Sequence, residues 1–246
     1  QGDSYGLGKT NGWWRRILAD DFDNDGDIDF IIGNTGLNSP FKASEKEPLS
    51  ITYGSFFSPN AINPIMTYYN GGVNYPWNTK DEIVSQIPSI QKKFLHYSDY
   101  AKASLTDFLT PGQLEKSSTI EVKMLQSVYL RNNGNNAFSI TPLPEYAQLS
   151  ALSGLLSMDI NADGKKDIIM SGNFYPFRVQ TGPLDASIGL VLKGDGQGQF
   201  SPLLYPQTGL FIDGDTRNII SVKTKKGNYI VAAKNNGKVQ VLNFTP

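Results

Sequence analysis

Asp20-Asp21-Phe22-Asp23-Asn24-Asp25-Gly26-Asp27-Ile28-Asp29-Phe30-Ile31-Ile32-Gly33-Asn34 reads as a polar loop that runs straight into an apolar strand and out through a turn. The same grammar returns at Met158-Asp159-Ile160-Asn161-Ala162-Asp163-Gly164-Lys165-Lys166-Asp167, followed by Ile168-Ile169-Met170 and Ser171-Gly172-Asn173. Self-similar units imply an array in which each unit buries its apolar face against a neighbour. A second element also recurs. Val128 to Phe138 and Gly189 to Phe200 each read as a strand, an Asn/Gly or Asp/Gly turn and an aromatic, the residue pattern of a β-hairpin. Tyr229–Leu242 adds a third hairpin, turning at Lys234-Asn235-Asn236-Gly237. A fainter copy, Ser55 to Ile65, overlays Asp21 to Ile31 without a gap but has lost its carboxylates. It predicts the loop-to-strand shape and no ion.

Composition agrees with short strands joined by many turns: Gly 24, Pro 14, Tyr 12 and Phe 13 among 246 residues. The fold class expected is all-β. At 39% hydrophobic the chain can bury a substantial core, read as one domain over residues 1–246. The texture changes between residues 75 and 118. Thr79-Lys80-Asp81-Glu82 forms a capping box, Ile83, Ile87 and Ile90 share a helical face, and Thr110-Pro111 starts another short helix. A small helical insertion is predicted there, either as packing decoration or as a protrusion for a partner.

The formal net charge of -1, with no basic cluster, argues against a nucleic-acid partner. No apolar run is long enough for a transmembrane segment. With no Cys there is no disulfide, thiolate metal site or Cys nucleophile. The chain opens Gln1-Gly2-Asp3-Ser4, without Met or a secretory signal. It reads as a processed product or fragment from which any export signal or lipid anchor would already have been removed.

Oxygen-bearing side chains at positions 1, 3, 5 and 9 of a loop, a main-chain carbonyl at 7 and Gly at 6 suit a hard cation. In the first loop the candidates are Asp21, Asp23, Asp25 and Asp29, with Asp27 offering its carbonyl and Gly26 the bend. In the second they are Asp159, Asn161, Asp163 and Asp167, with Lys165 offering its carbonyl and Gly164 the bend. Six aspartates between Asp20 and Asp29 repel one another unless a cation compensates them. Many oxygens in a flexible loop favour Ca2+ over Mg2+, and one His with no Cys leaves zinc poorly served. Position 12, the bidentate Glu of an EF-hand, is Ile32 or Met170 inside a strand, so the ligand set closes at position 9. Two Ca2+ sites are expected.

These loops and hairpins resemble the FG-GAP or VCBS-type repeats of integrin α-subunit propellers and bacterial surface proteins. With Gly12-Trp13-Trp14-Arg15-Arg16 and the Tyr97 to Ala101 segment, the chain is most similar to VCBS-repeat proteins of Bacteroidetes related to the cartilage acidic protein and UnbV group. The resemblance implies a β-propeller of four-stranded blades with calcium loops, extracellular or on the outer cell surface, that binds a protein or glycan. Ser55 to Asn63 and Gly214-Asp215-Thr216-Arg217-Asn218 depart from the pattern, leaving two ion sites. At roughly 40 to 50 residues per blade the chain supplies about four or five, which suits a partial propeller.

A binding or scaffolding module, not an enzyme, is the expectation. The alternative is a carboxylate-dependent hydrolase or lyase acting on glycans. His96 is the only histidine, and no nucleophile elbow or phosphate loop is present. Trp13, Trp14, Trp77, Tyr68 and Tyr69 are candidate sugar-stacking residues, with burial in the core as the competing explanation.

Overall fold

A computed structural model describes residues 2–244. The chain is mostly β and divides into two compact units, Gln1–Pro40 with Leu125–Pro246, and Phe41–Met124. In chain order the strands are β1 (Arg16–Asp20), β2 (Asp29–Gly33), β3 (Leu49–Gly54), β4 (Asn63–Asn70), β5 (Val73–Pro76), β6 (Ser118–Val122), β7 (Val128–Asn132) and β8 (Phe138–Pro142). They continue as β9 (Gly154–Met158), β10 (Asp167–Ser171), β11 (Leu190–Gly194), β12 (Phe200–Leu203), β13 (Thr216–Thr224), β14 (Gly227–Lys234) and β15 (Gln240–Phe244). All sheet pairings are antiparallel.

The discontinuous unit holds three sheets. The first runs β1-β2-β7-β8 and the second β9-β10-β11-β12, so both are meanders with the acidic loop between first and second strands and a Gly-containing hairpin between third and fourth. The third sheet has three strands, β13-β14-β15. The first strands of successive sheets lie together, β1 beside β9 and β9 beside β13.

Alternation along the strands explains how these sheets stack. Residues i and i+2 share a face, and β10 is buried at every position because both of its faces are covered. Ile168 and Met170 join Phe22, Ile31, Tyr129 and Leu155 in one core, while Ile169 points the other way and joins Val191, Ile219, Ile230 and Ala232 in another. The second sheet is therefore the middle layer. Each fully buried Ile or Met contributes about 1.5–3 kcal/mol of transfer free energy. On the outer face of the third sheet, Ile220, Val231 and Val241 are cross-strand neighbours, and Ile220, Val222 and Val241 remain exposed.

The continuous unit is a sheet with a helical cap of its own. Its strand order is β5-β4-β3-β6, so the last strand pairs with β3 and not with β5. The faint copy occupies the β3–β4 connection, residues 55–62, and Asn63 opens β4 where Asp29 opens β2. Between β5 and β6 lie α1 (Lys80–Gln86), α2 (Ile90–Lys93), α3 (Tyr97–Tyr100), α4 (Leu105–Phe108) and α5 (Pro111–Glu115), all short. The capping box at Thr79/Glu82 is formed, and α1 stops before Pro88, whose ring disfavours further helix. Ile83, Ile87 and Ile90 are buried with Phe94, Tyr100 and Phe108 and with Ile65 of β4. The only other α-helix among the described residues is α6 (Tyr205–Thr208), which follows β12.

Candidate metal centre

The two acidic loops share three side-chain-to-backbone hydrogen bonds at matching positions. At position 1, Oδ2 of Asp21 accepts from Gly26 N (3.1 Å) and Oδ2 of Asp159 accepts from Gly164 N (2.8 Å). At position 3, Asp23 Oδ1 accepts from Asp25 N (3.3 Å) and Asn161 Oδ1 from Asp163 N (3.1 Å). At position 5, Asp25 Oδ1 accepts from Asp27 N (2.9 Å) and Asp163 Oδ1 from Lys165 N (3.0 Å). These are local side-chain turns that curl the backbone around its own carboxylates. Positions 4 and 6 are left-handed in both loops, Asn24 and Gly26 at φ 60 and 91, Ala162 and Gly164 at φ 58 and 79. Glycine adopts that conformation without steric cost, which explains its place at the bend.

Position 9 works differently. Asp29 and Asp167 are buried, and their oxygens brace the start of the loop to the end of the third strand. Asp29 accepts from Phe22 N (3.3 Å) and Asn132 N (2.8 Å), and Asp167 from Ile160 N (3.0 Å) and Gly194 N (2.9 Å). Asp29 has one further donor, the Tyr129 hydroxyl at 2.6 Å. Burial, then the hydrogen bond to Asp29, pushes the Tyr129 phenol well above its ordinary range. The Tyr129 ring packs edge-on to Phe22 and Phe200, with centroids 6.2 and 5.4 Å away, and so seats the loop on the second sheet.

The loops differ in charge. Asp21, Asp23 and Asp29 bring oxygens within 4.8 Å of one another, the one such group of three acidic side chains among the described residues. Asp21 Oδ1 and Asp23 Oδ2 are buried and receive no hydrogen bond. Asp23 Oδ2 does lie 2.6 Å from Arg131 Nε, a charge contact without hydrogen-bond alignment, and Arg131 also reaches Asp25 Oδ2 at 3.5 Å. Burial, then the Asp29 charge, nevertheless raises the Asp23 carboxyl above its ordinary range against the pull of Arg131. In the second loop Asn161 replaces the position-3 carboxylate and donates from Nδ2 to Asp163 Oδ2 (3.0 Å), while Lys193 lies 3.6 Å from that oxygen. Although desolvation opposes it, Asn161, the Lys165 N–H and Lys193 together hold the Asp163 carboxyl below its ordinary range. Asn161 and Lys193 offset the charge of Asp163 in the second loop, whereas the first has an acidic excess.

The structure thus gathers Asp21, Asp23 and Asp29 at one point, leaves Asp25 half-exposed beside Arg131, and leaves the Asp27 side chain exposed. Asp159, Asn161 and Asp163 stay at the surface as an Asx-turn network, with Lys165 giving its N–H to Asp163 and Asp167 buried beneath. Acidic spacing alone does not reach Tyr129, Arg131 or Lys193. A signal for the basic pair is present, since each hairpin carries a cation at the next-to-last residue of its first strand, Arg131 in β7 and Lys193 in β11. In the faint copy, Asn63 is buried at position 9 with an unpartnered Oδ1 and no carboxylate stands at positions 1 to 7.

His96 is exposed at the start of α3, and Trp77 is half-buried against Phe41 (4.6 Å) and Tyr68 (5.5 Å). No described helix is long and apolar enough to cross a membrane. No family model, curated protein or solved structure matches the chain.

Proposed function

We propose that this chain is a calcium-binding β-propeller module of the FG-GAP/VCBS kind, exported or held at the outer cell surface, that binds or scaffolds a protein or glycan. The observation that carries the reading is the cluster of Asp21, Asp23 and Asp29 oxygens, in which Asp21 Oδ1 is buried without a donor and Asp23 Oδ2 is buried with only the charge contact of Arg131. A carboxylate oxygen stripped of water and of donors is satisfied by a cation, and Ca2+ accepts an oxygen-only shell with flexible geometry. Asp21, Asp23, Asp25 and Asp29, with the Asp27 carbonyl, would hold the first ion; Asp159, Asn161, Asp163 and Asp167, with the Lys165 carbonyl, the second. Arg131 supplies part of the compensation in the ion's absence and has to release Asp23 when Ca2+ enters. The first loop, with its acidic excess, binds more tightly.

The propeller reading draws on the stacking of β1, β9 and β13 and on the repeated meander. It also draws on the exposed Ile220, Val222 and Val241, which occupy the kind of face that the second sheet buries against the third. Calorimetric titration of chelator-treated protein with CaCl2 tests the metal reading. Two uptake events are expected, the tighter one abolished by Asp21→Asn and the weaker by Asp159→Asn, with MgCl2 a poor competitor. Absence of heat and of any thermal stabilisation at 10 mM Ca2+, a concentration on the order of ten times the weakest extracellular-module affinity, overturns it.

A further inference from the structure

Away from the acidic loops, the residues that lead into the first strands of the three stacked sheets gather two arginines around one aromatic ring. Arg15 immediately precedes β1, and its Cζ lies 4.4 Å from the centroid of Phe174; Arg217, in β13, places its Cζ 5.5 Å from the same centroid. A ring's quadrupole attracts a cation, yet two cations on one ring repel each other, so the arrangement needs an anion nearby. The acid at hand is already engaged. Asp215, fully buried, accepts from Arg217 Nη2 (2.7 Å) and from Asn235 Nδ2 (3.2 Å), both on Oδ2, and its Oδ1 has no partner. Arg15 gives its Nε to Ser153 Oγ at 3.1 Å, and among the described residues neither of its Nη groups has a partner. Burial, then the charge of Arg217, lowers the Arg15 guanidinium from its ordinary value, against the opposing pull of Asp215.

Two guanidiniums and one carboxylate leave the cluster one positive charge in excess. A half-buried, planar fork with two unused N–H faces is the recognition element for a planar oxoanion bound through two parallel hydrogen bonds. A single negative charge matches the excess, whereas a dianionic phosphate would bring a second charge toward buried Asp215. We propose that Arg15 and Arg217, which share a contact with the Phe174 ring, form a binding site for a carboxylate-bearing ligand. The site is independent of the calcium loops: its residues are Arg15, Ser153, Phe174, Asp215, Arg217 and Asn235, and none belongs to either loop. The carboxylate can come from an acidic amino acid or from a uronic acid, and the two sources differ in the hydroxyl groups that accompany the charge.

The test is a titration of 15N-labelled full chain with sodium galacturonate, N-acetylglutamate and inorganic phosphate at equal ionic strength, following the arginine Nε–Hε resonances. Expected is a saturable shift of the Arg15 and Arg217 signals with at least one of the two carboxylates, the better one naming the source. Phosphate should bind at least fivefold more weakly. Arg15→Gln and Arg217→Gln should each weaken the carboxylate at least tenfold, and Arg15→Lys, which keeps the charge but loses the fork, should weaken it to a similar degree. Retained sheet content by circular dichroism identifies the variants that fold. If Arg15→Gln does not, Arg15→Lys and the wild-type resonances decide. Unshifted arginine signals with both carboxylates, phosphate binding as tight as the carboxylates, or variants that bind like wild type overturn the proposal.

Discussion

Replacing Asp29 with Ala isolates the brace at position 9 from the metal chemistry, provided it is done in chelator. The side chain is fully buried and accepts from Tyr129 Oη (2.6 Å), Asn132 N (2.8 Å) and, more weakly, Phe22 N (3.3 Å). A hydrogen bond to a charged group contributes about 1.5–3 kcal/mol, and a buried donor left without a partner costs a comparable amount. Two short bonds and one long one therefore set a gross loss of about 4–6 kcal/mol, which release of a buried charge reduces to a net of roughly 3–4 kcal/mol. Asp167 is the internal control: it holds only Ile160 N and Gly194 N, so Asp167→Ala should cost roughly 2 kcal/mol. Tyr129→Phe alone should remove about 1–2 kcal/mol, and the Asp29→Ala/Tyr129→Phe cycle should return most of that as coupling. Urea unfolding in EDTA, monitored by circular dichroism, supplies all four values at constant m. An Asp29→Ala cost no larger than that of Asp167→Ala, or a coupling near zero, would refute the claim that this carboxylate fastens loop to strand.

The loop backbone gives a second test: nothing lies within 4 Å of a Cβ added at Gly26, so Gly26→Ala should cost about 1–2 kcal/mol through its φ of 91 alone, read from the same unfolding curves. Ala162, at φ 58, bears that strain already, and Ala162→Asn, the residue type at the matching Asn24, should recover about 0.5–1 kcal/mol. Burial and the Asp29 charge raise the folded-state value of the Asp23 carboxyl, so folded metal-free protein holds that proton more tightly than the unfolded chain does. Its stabilising contribution is complete below about pH 4 and declines as pH rises through the raised value; Asp23→Asn should therefore gain stability over wild type at neutral pH in EDTA, lose that gain at low pH, and gain less from Ca2+ than wild type does, because the second loop still binds. The Lys234 hydrogen bond, at 2.6 Å, holds the Asp213 carboxyl below its ordinary range, so that contribution is present above about pH 4 and is lost as pH falls through the lowered value. Lys234→Gln should return Asp213 toward ordinary titration by NMR while costing under about 1 kcal/mol, because the Asp213 side chain is 59% exposed.

What the sequence made legible was what it repeats. The loop-to-strand boundaries at Asp29 and Asp167, the hairpins ending in Phe138 and Phe200, and the cap at Thr79 are all set by residues within a few positions of one another, and local chemistry placed each of them. The helices expected within residues 75 to 118 occupy 80–115, and the compact unit that contains them begins at Phe41. Nothing local marks that start, because β3, β4 and β5 carry the same alternation as strands elsewhere and membership is decided by which strands pair. The site shows the same division. Positions 1, 3, 5 and 9 were readable as spacing, whereas Tyr129 and Arg131 enter it only because Phe30 pairs with Leu130, a register fixed across an intervening folded unit.

That interruption explains why the two position-9 braces differ. The Asp29–Asn132 bond spans 103 residues and its counterpart, Asp167–Gly194, spans 27. Loop closure costs about 0.6 kcal/mol per doubling of length, so the roughly two doublings that separate these spans cost on the order of 1.2 kcal/mol if the intervening chain is unstructured. The first sheet has the additional Tyr129–Asp29 bond, of about 1.5–3 kcal/mol, where the second has Val191 at the matching place and no such bond. The inserted unit lessens the closure cost itself, since Leu49 of β3 pairs with Val122 of β6 and so holds the two ends of that unit side by side. Removing the Tyr129 hydroxyl should accordingly matter most while the inserted unit is unfolded. In refolding experiments Tyr129→Phe is expected to slow formation of the first sheet more than the Asp167→Ala control slows the second, and equal slowing would show that the extra bond does not compensate for the interruption.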